Sequence, residues 1–179
     1  MRPVSTLFRR FRRFRRGERG ASTIEFVIWF PFFIVLVCSS LESGLLMTRH
    51  VMLERGLDMT VRGLRLGFWT APTHDDIKRA ICDGAVIIPN CSESLSVELR
   101  PVSTDTWALP TGAVTCTDQS ADVQPVTQLV PGISNELMMI RVCSKFSPFF
   151  PITGLGMNLP KDGAGDYALV SSSAFVNEP

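Results

Sequence analysis

The sequence predicts an α+β fold in which one long N-terminal helix packs on a small antiparallel sheet. Two patterns carry this prediction. Apolar residues run unbroken from Phe26 to Cys38 and then recur at steps of three, four or seven as far as Phe68, which indicates one helix over about residues 23–68. Beyond that helix, three short stretches alternate apolar and polar residues, as half-buried strands do.

The first 20 residues form a basic leader. They contain eight arginines and one acid, Glu18, for a net charge of +7, so the remaining residues carry −6 within the total of +1. Arginines beside an apolar segment stay in the cytoplasm, which predicts an exported C-terminal part. Phe8, Phe11 and Phe14 recur among the arginines at a spacing typical of an amphipathic helix on anionic lipid. Nucleic-acid binding by the leader is the less favoured interpretation, because the apolar run begins so soon after it.

Residues 21–44 are predicted to be a transmembrane helix. The 18 residues from Ile24 to Leu41 would span about 27 Å, just enough for the hydrocarbon core of a bilayer. Pro31 removes one backbone hydrogen bond and should kink the helix. A secretory signal is the alternative, since small residues between 39 and 44 give weak cleavage sites. The apolar pattern continues beyond residue 44, which favours a retained helix.

Residues 45–69 are predicted to form an amphipathic stalk that continues the same helix. Its apolar stripe is Leu46, Leu53, Leu57, Val61, Leu64 and Phe68. Its polar stripe is Glu54, Asp58, Arg62 and Arg65. The small residues Ser40 and Gly44, and then Gly63 and Gly67, either allow close helix contacts or serve as flexible points.

Glu25 lies at the edge of the apolar segment, where a charge is costly. An ionised acid costs about 2.5–3.5 kcal/mol at mid-span and less near the edge. Cleavage after Gly20 would create a free α-amino group on Ala21, one helical turn from Glu25. The carboxylate would then neutralise that amine in its own chain or in a neighbouring subunit. The alternative is a simple anchor that keeps its arginines, with Glu25 reaching the headgroups.

The segment Gly20-Ala21-Ser22-Thr23-Ile24-Glu25-Phe26 resembles the prepilin-peptidase site of tight-adherence pseudopilins, which has a glycine, four residues, then a glutamate and an aromatic residue. With Pro31 in the apolar run and Glu42-Ser43-Gly44 after it, the stretch is similar to the TadE-like family of pilus-assembly proteins. The resemblance is strongest over residues 16–68. It implies a pilin-like fold, a cut between Gly20 and Ala21, and Glu25 as the acid at position five of the mature chain.

The resemblance further implies a non-catalytic minor pseudopilin or assembly factor of a tight-adherence (type IVb, Flp-type) pilus. Such a protein would sit in the bacterial inner membrane, with a cytoplasmic N terminus and a periplasmic domain, and could enter the pilus. The implied partners are prepilin peptidase, other pseudopilins, the inner-membrane pilus machinery and membrane lipid, without nucleic acid. The alternative function is an unprocessed, membrane-anchored periplasmic binding or scaffold module.

Residues 70–179, called the C-terminal domain below, are predicted to be an α+β unit. Thr73 is an N-cap candidate for a short helix over about residues 74–83. Polar loops over 103–134 and 147–164 are the places where this domain would carry function. The predicted strands contain Leu95, Val97 and Leu99, then Met138, Ile140 and Val142, then Tyr167, Leu169 and Phe175, and Val114–Cys116 is a candidate fourth strand.

An aromatic–proline cluster lies at Phe146, Pro148, Phe149, Phe150 and Pro151. It would either dock a partner or pack onto the amphipathic helix. Packing in the core is the favoured interpretation, whereas an exposed aromatic patch would favour a partner.

Four cysteines lie in the part predicted to be exported: Cys82, Cys91, Cys116 and Cys143. An oxidising compartment would allow two disulfides, in any of three pairings. We favour Cys82–Cys91, which closes a short loop, together with Cys116–Cys143. A zinc site is disfavoured, because the chain has no Cys-x-x-Cys and only two histidines. We therefore expect no metal.

No catalytic residue and no cofactor are expected. The sequence lacks a nucleophile elbow, an HExxH motif and a phosphate-binding loop. Asp75 and Asp76 adjoin in sequence but would diverge on a helix, which makes them a poor acid–base pair.

Overall fold

The computed structural model describes residues 21–110, 112–117, 125 and 127–178. A three-stranded antiparallel sheet of order β1-β2-β3 lies against a long helix, which confirms the predicted α+β fold. In chain order the elements are α1 (Ala21–Arg65), α2 (His74–Gly84), α3 (Cys91–Ser94), β1 (Leu95–Pro101), β2 (Leu137–Phe146), α4 (Gly154–Asn158) and β3 (Tyr167–Val176).

Helix α1 continues through Pro31 for 45 residues and ends in a glycine cap. The Phe68 amide donates to the Gly63 carbonyl at 3.0 Å and the Gly67 amide to the Leu64 carbonyl at 3.1 Å. Gly67 has a φ of +66°, the left-handed conformation that this cap requires. The ring of Trp69 lies close to the position that a side chain on Gly63 would occupy. These two glycines therefore serve the end of α1 and the turn that follows it.

The hydrophobic core lies between α2, the C-terminal half of α1 and one face of the sheet, which is called the inner face. Helix α1 contributes Leu53, Leu57 and Val61, and α2 contributes Ile77 and Ile81. The alternating strand residues on the inner face are Leu95, Val97, Leu99, Met138, Ile140, Val142, Phe146, Tyr167, Leu169 and Phe175. The apolar stripe as far as Leu64 and the strand alternation read from the sequence are thus the surfaces that meet in the core. The predicted extension of the helix to Phe68 is wrong, because α1 ends at Arg65 and Phe68, beyond the glycine cap, is 71% exposed.

Helix α2 begins at a capping box and lies very close to α1. The Thr73 hydroxyl accepts from the Asp76 amide at 3.3 Å, and the Asp76 carboxylate accepts from the Thr73 amide at 3.1 Å. The Thr73 hydroxyl also donates to the Asp76 carboxylate at 2.6 Å. This hydrogen bond, followed by that of the Thr73 amide and by the charge of Arg79, lowers the pKa of Asp76. The predicted N-cap is confirmed, and it sets the start of a helix whose inner residues reach the core.

The second face of the sheet, called the outer face, is covered over β1 and β2 by the loop after β1. Cys116 in this loop is bonded to Cys143 of β2, and the Ser96 hydroxyl donates to the Thr115 carbonyl at 2.5 Å. The predicted strand at Val114–Cys116 is wrong, because side chains rather than a backbone ladder hold this stretch to the sheet. Among the described residues, the open edge of β1 instead pairs with Leu129 through a parallel bridge at Leu99.

Candidate functional site at the membrane end of helix α1

The N-terminal half of α1 has the properties of a membrane span. Residues 22–36 are exposed, and no part of the most apolar 18-residue window is buried against the described chain. Trp29 and Leu36 keep 68% and 66% of their surface exposed. A long apolar helix with no protein around it satisfies its backbone internally and can exchange water for lipid. The helix therefore indicates membrane anchoring.

Glu25 lies on this exposed stretch, one turn beyond Ala21, where α1 begins. Four residues of helix rise about 6 Å, so an amine on Ala21 and the Glu25 carboxylate would be neighbours on one surface. Gly20, the rest of the leader and its phenylalanines lie outside the described residues. The structure thus describes one side of the bond that the sequence predicts to be cut.

The four cysteines of the C-terminal domain form two disulfides. Cys82–Cys91 joins the end of α2 to α3 across a Cα separation of 5.7 Å, and Cys116–Cys143 joins the covering loop to β2 across 5.1 Å. These are the two pairings that the sequence analysis favours. Cys38, the fifth cysteine, is half-buried on α1 and unpaired.

Glu42 joins α1 to a distant part of the chain. Its side chain lies at the point where the apolar span ends, yet the residue is only 1% exposed. One carboxylate oxygen accepts from the Phe149 amide at 3.2 Å, and the other accepts from the Phe150 amide at 2.9 Å. Hydrogen bonds to an ionised acceptor are stronger than neutral ones, so this pair fixes the loop after β2 on the helix.

Sequence reasoning named Glu42 in the family resemblance without giving it a structural role. A signal was present, because Glu42 lies four residues before Leu46 and so extends the buried stripe of α1 toward the membrane. An acid on a buried face needs hydrogen-bond donors. The donors themselves could not be found in this way, because they are backbone amides that any residue type provides.

The aromatic–proline cluster divides between the core and the surface. Phe146 is 4% exposed and belongs to the core, whereas Phe149 is 66% exposed. The favoured core interpretation is right for Phe146 and wrong for Phe149. The reason is the Glu42 contact, which binds the backbone of Phe149 to α1 and leaves its ring directed away from the core.

A second buried charge lies on the outer face of the sheet. Arg141 and Glu98 are 7% and 8% exposed, and they pair across β1 and β2 with an Nε–Oε2 distance of 2.9 Å. The Arg141 guanidinium also donates to the carbonyls of Pro110 (3.2 Å) and Gly112 (2.9 Å) in the covering loop. With a second hydrogen bond to Glu98 from Nη2, these contacts use four of the five N–H donors of the guanidinium, which gives the pair a structural role beneath the loop.

Asp162 closes the turn before β3. Its carboxylate accepts from Lys145 at 2.6 Å and from the amides of Ala164 and Asp166, each at 3.0 Å. The Lys145 hydrogen bond is the largest cause of the lowered pKa of Asp162, followed by the Asp166 amide. Within the described ranges, no three His, Cys, Asp or Glu side chains come together as a metal site would need.

Comparison with known protein families gives a match over part of the chain. Residues 20–62 match the model of the family described as TadE-like protein. The matched stretch contains the apolar span, Glu25, Glu42 and the buried stripe as far as Val61, and it stops before the sheet, at less than half of the chain. No curated protein and no solved structure matches.

Proposed function

We propose that this chain, TadE-like by its match over residues 20–62, is a non-catalytic minor pseudopilin or assembly factor of a tight-adherence pilus, cut by prepilin peptidase after Gly20. The family match supports an association of this chain with a Tad pilus. The role as a pseudopilin and the cut after Gly20 are the more specific parts of the proposal. The observation that carries them is Glu25, an acid exposed on the apolar span one turn after Ala21.

The proposed mechanism is an exchange of charges at the cytoplasmic end of α1. Before the cut, the leader's net charge of +7 keeps this end in the cytoplasm. After the cut, one amine on Ala21 replaces the leader, and Glu25 of the same or a neighbouring chain neutralises it. A paired charge is cheaper in hydrocarbon than a single one. The exposed surface of residues 22–36 would then pack beside the helices of other pseudopilins.

Topology and partners follow as parts of the same proposal. The arginines of the leader fit the cytoplasmic side of a bacterial inner membrane. The two disulfides fit a C-terminal domain in the oxidising periplasm. The partners would be prepilin peptidase, other pseudopilins and the inner-membrane pilus machinery.

N-terminal sequencing of the protein from native membranes tests the cut. A chain that begins at Ala21 is the expected result. A chain that begins at Met1 or Arg2 would overturn the proposal in favour of an unprocessed anchored binding or scaffold module. A start near residue 44 would instead indicate a secreted protein.

Two variants separate the cut from assembly. Gly20→Ala should retain the leader. Its control is Gly44→Ala in α1, where an added Cβ atom would meet no other atom within 4 Å, and this variant should be processed normally. Glu25→Ala should be cut and yet impair pilus assembly. Glu54→Ala, which removes an exposed acid of the stalk, is its matched control. Normal pili in cells that carry Gly20→Ala and in cells that carry Glu25→Ala would contradict the mechanism.

A further inference from the structure

We propose that residues 147–160, which comprise the loop after β2 and α4, form a second membrane contact. They would lie in the interfacial layer of the leaflet from which α1 emerges, and lipid would cover them. The inference rests on membrane anchoring by α1. It goes beyond the proposed function, because it holds whether or not the leader is cut.

The position of this segment along α1 is the first argument. A side chain added to Gly154, the first residue of α4, would overlap the Ser39 hydroxyl and lie 3.7 Å from the Val35 carbonyl oxygen. Val35 lies within the apolar run that ends at Cys38. A span of about 20 residues that starts at Ser22 would end near residue 41. Helix α4 therefore lies at the depth of the outer edge of the hydrocarbon layer.

The burial pattern of α1 supports the same depth. Residues 22–36 are exposed, whereas Val37, Cys38 and Ser39 are half-buried, and Glu42 is fully buried. The segment thus covers one side of the helix at the end of the span and leaves the rest of that turn open. The surface of the segment that faces away from α1 continues the lipid-facing surface of the span.

The side chains of the segment fit an interfacial layer. Phe149, Ile152 and Met157 are 66%, 84% and 62% exposed. Residues 147–160 contain no charged side chain, although charged residues make up 20% of the whole chain. The prediction of a polar loop over 147–164 is therefore wrong for this part, which is mostly apolar and includes α4. Lys161 follows immediately, and its ammonium donates to the Pro151 carbonyl at 3.2 Å. An uncharged apolar stretch with a lysine at its border is typical of a segment that lies in the headgroup region.

Part of the backbone of the segment already has hydrogen-bond partners within the chain. The amides of Phe149 and Phe150 donate to Glu42. The amide of Thr153 donates to the Phe150 carbonyl and that of Leu159 to the Leu155 carbonyl. Unsatisfied amides are costly at the hydrocarbon edge, so these internal partners lower the cost of insertion.

Such a contact would fix the orientation of the C-terminal domain. A single helix lets the domain tilt relative to the membrane plane, whereas two contacts on one leaflet limit that tilt. The Glu42 carboxylate makes the arrangement rigid, because it joins the second contact to the first through two hydrogen bonds.

Spin labelling of the full chain in nanodiscs of phosphatidylethanolamine and phosphatidylglycerol tests the inference. Labels are placed at Ile152→Cys, Phe32→Cys and Ile133→Cys, each in a Cys38→Ser background with both disulfides intact. Ile133 is the matched control. Ile133 is 75% exposed, and its carbonyl accepts a hydrogen bond from Asn177. The next residue, Glu178, pairs with Arg65 at the C-terminal end of α1, so Ile133 lies near the end of the helix that is opposite to the span.

Power-saturation spectra with oxygen and with a water-soluble nickel complex measure the depth of each label. The labels at residues 32 and 152 should respond more to oxygen than to the nickel complex, and the label at residue 133 should respond more to the nickel complex than to oxygen. The inference would be overturned if the label at residue 152 were as accessible to nickel as the label at residue 133, while the label at residue 32 still responded more to oxygen. That result would leave α1 as a membrane anchor. Ile152→Cys chains that link to each other in nanodiscs holding two copies would also overturn it, because a second copy would then cover the surface. Neither outcome bears on the cut after Gly20, which N-terminal sequencing reads separately.

Discussion

At the scale of single residues, two acids on α1 have opposite surroundings. Glu25 is exposed on the apolar span, whereas Glu42 is buried where the span ends. A buried carboxylate without donors would pay the full cost of leaving water. Glu42 avoids this cost through the amides of Phe149 and Phe150, so its hydrogen-bond donors come from a loop more than one hundred residues away.

Glu42→Gln should weaken the attachment of this loop by about 1–3 kcal/mol. The substitution keeps the size of the side chain but removes its charge and turns an NH₂ group toward one of two amide donors. Hydrogen exchange of the full chain in detergent would show faster exchange at residues 149 and 150.

The matched control is Glu54→Gln on the same helix. The Glu54 side chain is 55% exposed and pairs with His50 at 3.2 Å, so its loss should change stability by less than about 1 kcal/mol. Unchanged exchange at residues 149 and 150 in Glu42→Gln would show that the carboxylate does not hold the loop.

At the scale of elements, the contact between α1 and α2 depends on two glycines. A side chain on Gly56 would overlap the backbone carbonyl oxygen of Ile81, and one on Gly84 would lie 2.7 Å from the Gly56 Cα. The obstructing atoms belong to backbone, which cannot rotate away. The helices can therefore bring Leu57 and Ile81 into the core only while both positions lack a side chain.

Gly56→Ala should lower the free energy of unfolding by about 1–3 kcal/mol, because the added methyl group pushes α2 away from α1. This loss would appear although alanine favours a helix over glycine by about 1 kcal/mol. Gly44→Ala on the same helix meets open space and should be neutral or slightly stabilising. Chemical denaturation followed by circular dichroism measures both, and a shift of the same sign in the two variants would refute the packing argument.

The elements that the sequence predicts well are those with a local pattern. The stripe through Leu53 and Leu57 identified α1, and Thr73 identified the start of α2. The bond between Leu99 and the loop at Leu129 has no local pattern, because it joins a strand edge to a distant irregular segment. The Val114–Cys116 strand failed for a related reason, since alternation near a cysteine does not distinguish a ladder from an extended loop.

The candidate site was predictable to a similar extent. Glu25 stood out because an acid in an apolar run is rare, and the structure places it on the exposed surface of α1. The Glu42 contact needed knowledge of where Phe149 and Phe150 lie, which depends on the path of the whole chain between β2 and β3. The exposed ring of Phe149 follows from that contact and could not be predicted without it.

At the scale of the whole molecule, α1 connects an exposed apolar end to a small core, and the sheet has three strands in the described part of the chain. Its inner face packs on the helices, whereas part of its outer face is covered by an irregular loop. The Cys116–Cys143 disulfide and the contacts of Arg141 with Pro110 and Gly112 hold this loop in place. The covering loop in turn keeps the Glu98–Arg141 pair away from water.

Cys143→Ser should therefore lower the free energy of unfolding by about 2–5 kcal/mol. Chain entropy for a closed loop of 27 residues accounts for about 3–4 kcal/mol of this loss. Any difference from that value would come from hydration of the Glu98–Arg141 pair beneath the covering loop. Urea denaturation of the full chain in detergent measures the loss. Cys116→Ser should have the same effect, since it removes the same bond, and Cys38→Ser should have little effect, since Cys38 is unpaired. Equal thiol reactivity of native protein before and after reduction would show that the bond is absent and would remove the basis for the predicted loss.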